Sequence, residues 1–181
     1  MKKIVLIVFT IFMFFLKNTA TANYEKKFYD LNIESITGET INFNDYKNKA
    51  VLIVNTASYC GFTKQYDELQ ELWDLYKSRG LIVIGVPSNS FNQEKSSNSD
   101  VKEFCEVNFN INFPLTTITE VKGENAHELF KWAKDNHGKS AVPKWNFHKI
   151  LINRNGYVHD TFVSFTSPMS KKFLKVLDKI L

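Results

Sequence analysis

Residues 50–63 read AVLIVNTASYCGFT. From Ala50 to Asn55 the chain carries no charge and is rich in β-branched side chains. That pattern reads as a strand buried on both faces, the kind found at the centre of a sheet. Small polar residues follow, and then a single cysteine, Cys60. Beyond it, Lys64 to Lys77 places Tyr66, Leu69, Trp73 and Tyr76 at helical spacing and stops before Gly80. Leu81 to Val86 repeats the buried-strand pattern and is closed by Pro87. Buried strands joined by a helix predict a mixed sheet with helices on its faces, an α/β fold.

Working outward, Phe28 to Phe43 alternates apolar and polar residues around Thr37-Gly38-Glu39, which predicts an N-terminal β-hairpin. On the other side, SNSFNQEKSSNSD at residues 88–100 is a polar loop. Asp100-Val101-Lys102-Glu103 resembles a capping box that opens a helix carrying Phe104 and Cys105. A short strand and a helix over Glu124 to Asn136 come next. Lys149 to Asn153 and Tyr157 to Val163 flank Arg154-Asn155-Gly156, a hairpin turn. Ser167 as N-cap and Pro168 as first helical residue predict a last helix, with Phe173, Leu174, Leu177 and Ile180 on its apolar face. No internal repeat and no second domain is visible.

The 181 residues suffice for one domain with a real core, and 44% apolar with 23% charged residues excludes a disordered chain. The formal net charge of +4 is concentrated at the N-terminus. Lys2 and Lys3 precede an apolar run, Ile4 to Leu16, and Ala20-Thr21-Ala22 offers an A-x-A cleavage site. This is the layout of a secretory signal peptide over residues 1–22, and the run is short for a bilayer span. Cleavage would remove Lys2, Lys3 and Lys17, leaving a near-neutral domain over residues 23–181. The expectation is an exported protein, periplasmic or secreted, with no stable membrane anchor. Nucleic acid is excluded as a partner, because no basic stripe with interleaved aromatic residues occurs.

Two features carry chemistry. Cys60 lies where the first buried strand hands over to a helix, and backbone N–H groups at a helix start favour a thiolate, the nucleophilic form. Its bland counterpart is a buried inert thiol. The second is Lys144-Trp145-Asn146-Phe147, just ahead of a strand. In a sheet of this order that junction shares an edge with the end of the first buried strand, where ligand sites gather. The Trp145 indole and the Asn146 amide are donors that stay neutral at every pH, suited to holding a thiolate or a leaving oxygen. Core filling by Trp145 and a turn role for Asn146 is the plainer reading.

Together these segments resemble the glutathione peroxidase family. Asn55-Thr56-Ala57-Ser58-Tyr59-Cys60-Gly61-Phe62-Thr63 is similar to its active-site segment. Val86-Pro87-Ser88-Asn89-Ser90-Phe91-Asn92-Gln93-Glu94 is similar to its second segment, and Trp145-Asn146-Phe147 to its third. The similarity runs from about Phe28 to the C-terminus. It implies a thioredoxin-like fold and reduction of hydrogen peroxide or organic and lipid hydroperoxides to water or alcohol. Cys60 becomes the peroxidatic thiol, with Trp145 and Asn146 as its partners. The family's fourth partner, a glutamine, falls at Ser90. The segment is one residue shorter here, and Lys95 stands where the family usually has proline. Gln93 swinging in, or Ser90 holding a water, would substitute.

The resemblance also implies how the enzyme is recycled. Cys105 lies near the position of a resolving cysteine in many non-animal relatives. In an exported chain two cysteines otherwise read as one structural disulfide. The short segment Asp135 to Lys144 resembles monomeric members, which commonly use a thioredoxin-like protein rather than glutathione as reductant. No cofactor is expected, and His127, His137, His148 and His159 show no metal spacing. Surface or packing roles suit those histidines, the core suits Trp73 and Trp132, and Thr63 suits a helix cap. Alternatives are glutathione as direct reductant, a thiol–disulfide oxidoreductase lacking the second cysteine of C-x-x-C, or a binding protein that kept the fold.

Overall fold

The computed structural model describes residues 26–181; the candidate signal peptide lies outside the described residues. The central run forms β3 (Ala50–Thr56), preceded by the hairpin strands β1 (Asn32–Glu34) and β2 (Thr40–Asn42). β3 pairs in parallel with β4 (Leu81–Pro87), through the crossover helix α1 (Gln65–Tyr76). On its other side β3 pairs antiparallel with β5 (Lys149–Ile152), which pairs antiparallel with β6 (Val158–Phe162). The sheet order is therefore β4-β3-β5-β6. Every residue of β3 and β4 is buried, as their unbroken apolar runs require.

Alternation along the strands builds two cores. Val51 and Ile53 of β3 and Ile150 and Ile152 of β5 face one side, with the N-terminal hairpin and α3 (Glu128–His137). Ala50, Leu52, Val54 and Leu151 face the other, with α1, α2 (Asn98–Phe109) and α4 (Lys171–Leu177). Residues 114–117 supply backbone bridges rather than a strand. Leu115 pairs with Gly85 and Thr116 with Ser35, tying the small hairpin to the sheet edge. Gly85 is required there, since a Cβ would come within 2.6 Å of Leu115 Cδ2.

Four helix boundaries differ from expectation, each for a local hydrogen-bonding reason. α2 opens at Asn98, because Ser97 is the cap and accepts from the Asp100 N–H. The capping box placed at Asp100 does not form there. α3 begins only at Glu128, after Gly123, with His127 Nδ1 accepting from the Leu129 N–H. α4 begins at Lys171 with Ser170 as cap; Ser167 instead closes a turn, accepting from Met169 N and Ser170 N. α1 has no side-chain cap, so Thr63 does not play that part. Its start is built from tight backbone bonds, Gln65 N to Phe62 O and Tyr66 N to Thr63 O.

Candidate active site

β3 delivers the chain to a compact turn. The Cys60 N–H donates to Ala57 O at 3.4 Å, and Thr63 N–H donates to Cys60 O at 3.1 Å. Cys60 is buried and unbonded to Cys105. It sits inside this turn, and α1 starts only at Gln65, so the helix start does not fall at the sulfur as the sequence suggested.

The polar loop after β4 clamps that turn. Asn92 takes a left-handed backbone, φ 57°, and donates to Asn89 O, which turns the next residues inward. Gln93 O accepts from the Tyr59 N–H at 2.9 Å, and Glu94 Oε1 accepts from the Ser58 N–H at 3.0 Å. The Glu94 carboxyl is raised by burial, an effect its bonds from Ser58 and Lys95 oppose. The Gln93 side chain reaches across the site, where its Oε1 accepts from Asn146 Nδ2 at 3.0 Å. Gln93 thus bridges the Cys60 turn and Asn146. Ser90 goes elsewhere: its hydroxyl donates to Glu120 Oε2 at 2.7 Å and accepts from Val121 N. Of the two substitutes for the family glutamine, the structure brings Gln93 to Asn146 and holds Ser90 against Glu120. The left-handed backbone at Asn92 immediately precedes Gln93, whose side chain meets Asn146.

The third segment is held against β3 by Asn55, a residue to which sequence reasoning assigned no role. Its side-chain Nδ2 donates to Trp145 O and its Oδ1 accepts from His148 N. Its backbone donates to His148 O and accepts from Phe147 N at 2.6 Å. An asparagine ending a buried strand, with four groups to satisfy, was the available signal. Asn146 is fully buried, whereas Trp145 is 42% exposed and packs on Phe91 with ring centroids 5.3 Å apart. Of the two neutral donors, the indole therefore lies at the surface and the amide in the interior. Among the described residues, no group of three His, Cys, Asp or Glu side chains could hold a metal ion.

Three buried titratable groups lie close by. Cys105, inside α2, is fully buried, and burial pushes its thiol up to about 11. Held there it is a poor nucleophile. His148 is buried rather than on the surface, and burial together with Lys149 and Lys144 pulls it down to about 4, so it is neutral at ordinary pH. Lys149 is fully buried, and burial pulls its ammonium down to about 7.

The Lys149 shift sets a pH dependence. Between about 7 and the ordinary 10.5, the unfolded chain holds a proton that the folded chain has released. Stability therefore gains from this group as pH rises through that window and loses it as pH falls to about 7. Urea unfolding at pH 7 and 8.5 is expected to show a steeper rise in the wild type than in Lys149→Met. An identical rise in both would show that Lys149 keeps its ordinary proton affinity.

A family model described as glutathione peroxidase matches residues 28–134, which include Cys60, Gln93 and Cys105. A glutathione peroxidase of Lactococcus lactis subsp. cremoris is 40% identical over 156 residues, covering 83% of this chain and 99% of that protein. Glutathione peroxidase-like peroxiredoxin 2 of Saccharomyces cerevisiae is 41% identical over 148 residues, covering 79% of this chain and 91% of its own. Among solved structures, T. cruzi GPX1 superposes with a TM-score of 0.65 at 26% identity, covering 86% of this chain and 94% of that one.

Proposed function

Because the chain belongs to the glutathione peroxidase family, we propose that it is a thiol-dependent peroxidase acting through Cys60. It reduces hydrogen peroxide or organic hydroperoxides to water or alcohol. The observation that carries the assignment to these residues is the meeting of three segments: the Cys60 turn, Gln93, and Asn146 with Trp145.

The Cys60 thiolate attacks the distal peroxide oxygen. A sulfur–oxygen bond forms, the O–O bond breaks, and the leaving oxygen takes a proton to become water or an alcohol. Gln93 and Asn146 share one hydrogen bond, which leaves amide hydrogens on both to face the charge that develops. Cys60 is left as a sulfenic acid. Cys105 then attacks its sulfur, releasing water and forming a disulfide, which a thioredoxin-like dithiol protein reduces. The peroxiredoxin name of the yeast relative supports this route. Because Cys105 is buried and its thiol is raised, α2 must open locally before this second step. Glutathione as direct reductant is the second reading, favoured by that same burial. The protein is a monomer that is exported through the basic, apolar and A-x-A segments of residues 1–22.

The test is peroxide titration of the reduced protein, followed by intact mass and peptide mapping. One equivalent is expected to yield a Cys60–Cys105 disulfide that thioredoxin reverses. A Cys60 acid that only glutathione reduces would make Cys105 a bystander. A Cys60 no more reactive than free cysteine would overturn the peroxidase reading.

A further inference from the structure

Lys149 begins β5 and sits, by alternation, between Phe147 and Leu151 on the face that packs against α1. An apolar residue belongs there. A buried ammonium lowers stability where a methionine of similar volume would not. What a methionine cannot do is donate. Lys149 Nζ donates to Phe147 O at 2.8 Å and to Gln65 Oε1. Gln65 Nε2 passes the chain on to Ser164 O at 2.6 Å, and Ser164 Oγ donates to Asn146 O at 2.6 Å.

Four successive carbonyls are therefore occupied. Asn55 holds those of Trp145 and His148, Ser164 holds that of Asn146, and Lys149 holds that of Phe147. Phe147 between them has φ 60°, a left-handed backbone uncommon for an aromatic residue, and such a conformation persists only where its surroundings fix it. Gln65 is also the first residue of α1, bonded through its N–H to Phe62 O in the turn that carries Cys60. The buried chain of bonds thus joins the Cys60 turn to the Asn146 turn from beneath, while Gln93 joins them from above.

We propose that Lys149 is a positioning residue for the peroxide step, acting through the Phe147 carbonyl and the Gln65–Ser164 link to fix Asn146 against the Cys60 turn. The inference rests on the peroxidase reading above. Lys149 touches no reacting atom. Its amine keeps two hydrogens even when neutral, so both donations survive loss of the charge.

The experiment is a double-mutant cycle. Lys149→Met is made in the wild type and in Asn146→Ala, and oxidation of reduced Cys60 by hydrogen peroxide is followed in single turnover. Lys149→Met is expected to stay folded at pH 7, loss of the buried ammonium offsetting the two acceptors left without a donor, yet to oxidise at least tenfold more slowly. In the Asn146→Ala background the same change is expected to alter the rate less than twofold, because the group it positions is gone. Equal factors in both backgrounds, or no slowing in the wild type, would overturn the proposal. The Asn146 side-chain amide resonance, read by ¹⁵N-correlated NMR, is expected to move in Lys149→Met; an unmoved resonance also overturns it. Should Lys149→Met fail to fold, Ser164→Ala cuts only the last link and is expected to slow oxidation severalfold in the same cycle, no slowing being the contrary result. A wild type whose Cys60 ignores peroxide ends the peroxidase reading, and the Asn146 resonance alone then decides whether Lys149 positions the turn.

Discussion

Cys60→Ser is expected to end peroxide consumption, with the rate falling by at least about 1,000-fold. A hydroxyl replaces the thiol at nearly the same size, so the turn closed by Ala57 O and Thr63 N keeps its bonds. What is lost is ionisation, because a serine hydroxyl stays protonated at neutral pH and is a far weaker nucleophile toward a peroxide oxygen. Thermal unfolding is expected to stay close to that of the wild type, which separates a chemical loss from a folding loss. Cys105→Ser is the informative companion. It is expected to leave the first oxidation of Cys60 intact and to abolish thioredoxin-dependent turnover, since the sulfenic acid then has no thiol within the chain to meet. Residual peroxide consumption in Cys60→Ser above that of buffer would place the reaction on another residue.

Asn146→Ala is expected to have the next largest effect, slowing Cys60 oxidation by about 10²–10³-fold, the usual loss of one preorganised donor to a developing charge. The change also leaves the half-buried Gln93 Oε1 without its partner, which costs less than the about 1–3 kcal/mol of a fully buried acceptor. Gln93→Ala is expected to behave similarly. Because the two share a hydrogen bond, their joint removal should fall well short of the product of the single losses. Stopped-flow oxidation of the reduced protein, read by intrinsic fluorescence, measures all three variants. An Asn146→Ala protein within threefold of the wild type would show that the buried amide serves packing alone. Ser90→Ala provides the contrast. Its hydroxyl is engaged by Glu120 and Val121, so little change in rate is expected.

The sheet was legible in the sequence because its signals are local. Two unbroken apolar runs marked β3 and β4, and Arg154-Asn155-Gly156 marked the hairpin of β5 and β6. Helix starts were less legible, since several serine and aspartate candidates stand within three residues of one another at Ser97 and Asp100, and again at Ser167 and Ser170. Cys60, Trp145 and Asn146 stood out by residue type and by family resemblance. Gln93 against Ser90 could not be settled from spacing, because the loop turns left-handed at Asn92, just ahead of Gln93, whose side chain meets Asn146. Lys149 and Asn55 were hidden for a different reason. Asn55 works on backbone groups 90 and 93 residues away, and Lys149 links a carbonyl two residues back to the Gln65 side chain 84 residues away; such partners leave no pattern in the order of side chains.

The pairing of β5 with β3 also sets an order of assembly. β3, α1 and β4 are contiguous in the chain and can close on one another early, carrying Cys60 in its turn. Asn146 arrives only when a segment from the far end of the chain slips in beside β3, a non-local closure that is slow to form. During synthesis, then, Cys60 precedes Trp145 and Asn146 by nearly half the length of the protein. An unfinished chain carries Cys60 and Gln93 without Trp145 and Asn146, and the three segments meet only once β5 has joined the sheet.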